Sequence, residues 1–81
     1  MTRIEELMTI LMEECAEVTQ AASKVIRFGE QENIKALEKE IGDLQCMLDM
    51  VHEEDLISWT AVEQYSECKR IKLHTYSNLF K

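Results

Sequence analysis

The residues of this chain best suited to chemistry are carboxylates: Glu13, Glu14 and Glu17 in the run Glu-Glu-Cys-Ala-Glu, and Glu40 and Asp43 in Glu-Ile-Gly-Asp. On a helix, side chains three residues apart share a face, so Glu14 goes with Glu17 and Glu40 with Asp43. One such pair is ordinary on a solvated helix. What sets these apart is the residue four positions onward, where a surface acid commonly finds Lys or Arg; here those residues are Val18, Ala21, Leu44 and Met47. Acids that border apolar stripes are pushed toward partly desolvated space, where unpaired charge is costly and is relieved by neutralisation or a bound cation. Four converging carboxylates suit a hard divalent ion, Mg²⁺ first and Mn²⁺ next, with water and phosphate oxygens completing its shell. A di-iron bundle would need Glu-x-x-His on each of two helices, and here the third residue onward is Glu17 or Asp43, never His.

Convergence depends on the elements that carry these acids. Ile4, Leu7, Met8, Leu11, Cys15, Val18, Ala22, Val25 and Ile26 recur at helical spacing, which predicts an amphipathic helix from about Thr2 to Phe28, ended by Gly29. Ile34, Leu37, Ile41, Leu44, Leu48 and Val51 predict a second helix from about Gln31 to Glu54. Residues at equal height in an antiparallel hairpin share a constant sum of positions. Glu17 with Glu40 and Glu14 with Asp43 satisfy one such sum, whose midpoint falls between Phe28 and Gly29, where the turn is independently expected. All four acids should then meet at one level. A turn over Asp55 to Ser58 leads to a third helix, with Ser58 as N-cap, running to about Ser77. Lys69 interrupts its stripe of Trp59, Val62, Tyr65, Leu73 and Tyr76, so its carboxyl half should be less buried than the other two helices. His52 and His74 read as surface or edge residues.

The fold class expected is all-α: a three-helix chain with a long antiparallel hairpin, forming one domain over residues 1–81. A domain of this size buries only about 60% of its unfolded surface. With no Pro, two Gly and no paired cysteines, the missing stability should come from oligomerisation into four-helix-bundle dimers or tetramers. Cys15, Cys46 and Cys68 read as reduced thiols packed as small core residues of a cytosolic protein. No run approaches the roughly 20 apolar residues of a membrane span, and Arg3, Glu5 and Glu6 leave no room for a signal-peptide apolar region. A formal charge of -7 argues against binding to a nucleic-acid polymer, yet bound cations would let acids face the phosphates of a single nucleotide.

Glu13-Glu14-x-x-Glu17, followed after 22 intervening residues by Glu40-x-x-Asp43, resembles the signature of the MazG-like all-α nucleoside triphosphate pyrophosphohydrolase superfamily, and the resemblance covers nearly the whole chain. It implies Mg²⁺-dependent hydrolysis of a (deoxy)nucleoside triphosphate between its α and β phosphates, releasing monophosphate and pyrophosphate, in homodimers or homotetramers. It makes Glu14, Glu17, Glu40 and Asp43 the metal ligands and catalytic acids. Glu13 matches the leading Glu, with direct ligation and support of a neighbouring ligand both open. It also implies a cytoplasmic enzyme, of a bacterium or of a phage acting in its host. The chain is expected to be a minimal core without the extra helices that larger members use to close over a base, and without the amino-terminal extension typical of phosphoribosyl-ATP enzymes.

Substrate contacts are sought among basic and aromatic residues near the acids. Lys24 and Arg27 lie beyond Glu17 toward the turn, where they either reach phosphates or answer the helix dipole. Lys69 either reaches a phosphate, in its own or a partner's site, or snorkels from its stripe. Phe28 could stack on a base, and Trp59 could do so or fill the core. Two rivals stand beside the general pyrophosphohydrolase: a phosphoribosyl-ATP or dUTP/dCTP-specific enzyme of the same superfamily, and a helical-bundle interaction module without chemistry.

Overall fold

The computed structural model describes residues 1–81 as three helices and no strand: α1 (Arg3–Phe28), α2 (Gln31–Glu53) and α3 (Trp59–Tyr76). Each boundary has a local cause. Thr2 and Glu5 form a capping box, in which the Glu5 N–H donates to Thr2 Oγ1 at 3.1 Å and the Thr2 N–H to Glu5 Oε1 at 2.7 Å. This arrangement holds the Glu5 carboxyl below the usual carboxylate range. α1 stops at Gly29, whose φ of 94° is open to glycine and strained for other residues; its N–H still donates to the Val25 carbonyl at 3.0 Å. Asn33 then ties the turn down, donating from Nδ2 to the Gly29 carbonyl at 2.9 Å. Ser58 caps α3, its Oγ accepting from the Ala61 N–H at 3.2 Å.

α1 and α2 pack on one another, and Arg3 at the start of α1 meets the Glu54 carboxylate just past α2 at 2.6 Å. Leu7 and Ala21 of α1 and Met47 and Val51 of α2 are the only 4 buried residues of the 81. Two helices cover each other along a single line, and both apolar stripes are wider than that line. The remainder of each stripe therefore faces outward.

One expectation is corrected by this geometry. All three cysteines are exposed, not packed as core residues: Cys15 lies on the uncovered flank of α1, and Cys46 and Cys68 lie off any line of contact. α3 has no buried residue and Tyr65 is 76% exposed, so its carboxyl half is less buried than α1 and α2, as expected, and so is its amino half. α3 touches the rest chiefly at its start, where the half-buried Trp59 ring lies 5.5 Å from the ring of His52. Its far end is held locally, His74 stacking on Phe80 at 4.1 Å. No helix is long and apolar enough to cross a membrane.

Thr2→Ala removes the acceptor of the capping box and should lower stability by about 1 kcal/mol. Thermal unfolding checks this: the midpoint should fall by roughly 4–8 °C.

Candidate functional site

Leu7, Glu14 and Ala21 succeed one another at steps of two helical turns, so all three lie on the line where α1 meets α2. Leu7 and Ala21 are buried there, and Glu14 between them is half-buried. On α2, Glu40 stands two turns and Asp43 one turn before the buried Met47. An acid has thus taken a seam position where an apolar residue would stabilise the pair.

One carboxylate oxygen from each of Glu14, Glu40 and Asp43 lies within 4.8 Å of the other two. Oxygen ligands about 2.1 Å from an octahedral Mg²⁺ are spaced by about 3 Å along an edge and about 4.2 Å across. The three oxygens lie close enough together for small side-chain movements to bring them to that spacing, and the donor set, all hard anionic oxygen, fits Mg²⁺ or Mn²⁺ and disfavours softer ions.

Glu17 does not join them. Three residues on from Glu14, it turns off the contact line by about 60° and is exposed. It lines an adjacent shallow depression with Gln20, Ala21, Lys24, Ala36 and Glu40. The expected convergence of four acids is therefore one of three, with the fourth at its rim.

The residue that sequence reasoning missed is Lys39. Its Nζ stands 2.8 Å from Asp43 Oδ2 and 3.3 Å from Glu40 Oε1, supplying a cation to the cluster from the chain itself. The signal is in the sequence: Lys39 lies four residues before Asp43, a pairing that the residues four positions onward do not display. The two acids in turn hold the Lys39 ammonium well above the ordinary lysine range. Glu14 receives no such partner. Desolvation, then repulsion from Asp43, Glu40 and Glu17, push its carboxyl above the usual range, and Lys39 pulls it only part of the way back.

The remaining candidates divide. Lys24 is brought to the depression beside Glu17 and Glu40. Arg27 and Phe28 are not: the guanidinium lies 5.0 Å over the Phe28 ring, and both side chains face solvent at the turn. Lys69 lines a separate depression on α3 with Ser66, Arg70, Leu73 and Phe80, away from the carboxylates of its own chain. Glu13 is exposed beside the triad and not part of it. Comparisons with protein-family models, curated proteins and solved structures gave no match.

Because the folded pKa of Glu14 exceeds its unfolded value, the folded state binds its proton more tightly, and the charged group opposes folding at neutral pH. That opposition is relieved as pH falls through the raised folded value toward the ordinary one, about 4.3. In chelator, Glu14→Gln should melt above wild type at pH 7, with the difference shrinking on acidification. A variant that melts lower at pH 7, or a difference independent of pH, would contradict this account of the site.

Proposed function

We propose that the chain is a Mg²⁺-dependent nucleoside triphosphate pyrophosphohydrolase of the MazG-like kind, releasing a nucleoside monophosphate and pyrophosphate. The observation that carries the reading is Glu14, a charged residue midway between Leu7 and Ala21 on the contact line, with the oxygens of Glu40 and Asp43 gathered onto it. A buried-edge acid facing two more acids raises the energy of the metal-free fold, and a divalent cation removes that cost. The carboxylate signature and the absence of a positioned Ser or Cys nucleophile agree with a reaction that asks the protein mainly for positioning and charge neutralisation. The long antiparallel hairpin, and the assembly of two or four copies, belong to the same reading.

Glu14, Glu40 and Asp43 would hold the ion, which would supply charge neutralisation for the phosphates and activation of water. Glu17, exposed at the rim, orients the attacking water and accepts its proton as the water oxygen bonds to the α phosphorus. The anhydride P–O bond breaks and pyrophosphate leaves with the electron pair. Lys24, on the same depression, supplies positive charge to the phosphate chain. The depression is shallow, so this chain alone offers little to enclose a base, and the base and sugar preference is left to a substrate panel.

Pyrophosphate release from ribo- and deoxyribonucleoside triphosphates, with Mg²⁺ or with EDTA, tests the reading. Turnover should require the metal and fall by more than about 100-fold in Glu40→Gln, which removes a ligand while keeping its shape. Metal-independent turnover, or an unaffected variant, would sink the assignment; no turnover across the panel would favour the interaction module.

Lys39 yields a second expectation, since a cation entering the triad must compete with its ammonium. Lys39→Met should bind Mg²⁺ roughly two- to fivefold more tightly than wild type, by calorimetric titration, as expected from losing exposed ion pairs. Lys35→Met, one turn earlier and without an ion pair to the triad, is the control for net charge.

A further inference from the structure

We propose that the depression on α3 lined by Ser66, Lys69, Arg70, Leu73 and Phe80 is a metal-independent binding site for a small organic phosphomonoester, a phosphate carrying one flat apolar ring. It lies apart from Glu14, Glu40 and Asp43 and shares no residue with them.

Charge is the first observation. All 16 acids of the chain lie at or before Glu67, whereas Lys69, Arg70, Lys72 and Lys81 follow it, so residues 68–81 form a cationic segment of an acidic protein. The ion pairs of the chain join Arg3 to Glu54, and Lys39 to Glu40 and Asp43. Lys69 and Arg70 therefore face solvent with no carboxylate of the chain to neutralise them.

The backbone shapes a wall around these cations. Ser66, Lys69, Arg70 and Leu73 stand at steps of three and four and share one face of α3. Beyond Tyr76 the chain turns back over that face. Ser77 Oγ donates to the Leu73 carbonyl at 2.8 Å and accepts from the Leu79 N–H at 3.3 Å, and the Lys81 N–H donates to the Asn78 carbonyl at 3.2 Å. Phe80 is thereby laid beside the helix, 4.1 Å from the His74 ring and nearly parallel to it, with the Arg70 guanidinium 5.9 Å from its centroid. The helix face and the returned ring bound a depression of about 310 Å³.

The donor set selects phosphate. Arg70 presents a planar fork, Lys69 a compact charge and Ser66 a hydroxyl, enough to serve three terminal oxygens, and two cations match the charge of about -1.5 to -2 on a phosphomonoester at pH 7. A carboxylate would use the fork and leave the other two donors in water. Leu73 is half-buried and Phe80 is 42% exposed, so the apolar part of the depression is open to a flat partner beside His74. Volume sets the size of that partner. Organic-ligand pockets run from about 300 to 1,000 Å³, and this one, at the low end, suits a phosphate with a single ring and not a triphosphate with its nucleoside. A nucleic-acid polymer fits worse, because past these few cations it would run along the acids of the rest of the chain. The inference rests on α3 and the turn after it, so it stands or falls separately from the catalytic reading.

Phenyl phosphate, titrated in EDTA and followed through backbone amide shifts, tests the site. Without a metal the three clustered acids repel a dianion, and the shifts locate whatever binds. Phenyl phosphate should bind with a Kd on the order of 1 mM or below. The shifts should centre on Ser66, Arg70 and Phe80, with an affinity roughly three- to tenfold above that of inorganic phosphate. Arg70→Gln should weaken both ligands at least about tenfold. Phe80→Leu should bring phenyl phosphate down to the level of inorganic phosphate and leave the latter unchanged. Lys72→Gln, turned about 100° from Leu73, should move neither by more than about twofold. All three side chains are exposed, so the variants should keep the wild-type circular dichroism. No binding up to about 10 mM, binding that requires Mg²⁺, or equal losses in Lys72→Gln and Arg70→Gln would overturn the proposal. Equal affinities for phenyl and inorganic phosphate would overturn it too, since they would leave general attraction of anions and no place for a ring.

Discussion

Everything in this chain depends on the line along which α1 and α2 touch. Only Leu7, Ala21, Met47 and Val51 are buried, and all four lie on it. A line of that kind carries about two side chains every two turns from each helix, and here only four are buried, so each position on it matters. Giving one of them to Glu14 is a large commitment for so small a core. Ala21, the next position along, is small, and with Ala36 it leaves the shallow space into which Glu17 and Lys24 project.

The placement of the acid sets two opposing demands. A carboxylate on the seam favours a cation, and repulsion among Glu14, Glu40 and Asp43 makes that preference stronger. Without a cation, the same repulsion works against the packing that brings the three together. Lys39 moderates the conflict by neutralising Asp43 and Glu40 from outside the seam. Its side chain remains 70% exposed, so it can withdraw into water without disturbing a buried contact. Glu14, beyond its reach, keeps the residual strain and is the acid whose titration registers it.

Helix bounds were legible because their signals are local: a polar cap before an apolar run, a glycine after one, a spacing of three and four. The meeting of Glu14 with Asp43 was legible too, since a constant sum of positions and an independently placed turn constrain each other. What escaped depends on angle and on coverage, not on spacing. Glu17 has the right height and the wrong azimuth, a difference of about 60° that a list of positions does not display. Lys39 escaped because ion pairs on a helix run in both directions along the chain. The exposure of Cys15 escaped because an apolar stripe is wider than the single line that one partner helix covers.

With a single contact line, the pair has two broad sides, and the sequence has sorted its residues between them: charge-free and aliphatic on one, acidic with Lys24 and Lys39 on the other. The net charge of -7 is therefore unevenly spread, and the acids lie on the side that a cation and a polyanion can reach through water. The aliphatic side adds little burial within the chain, since only four residues are buried. An acid on the seam weighs heavily on a core with so few positions, and the repulsion that Glu14 meets from Asp43 and Glu40 is the direct expression of that placement.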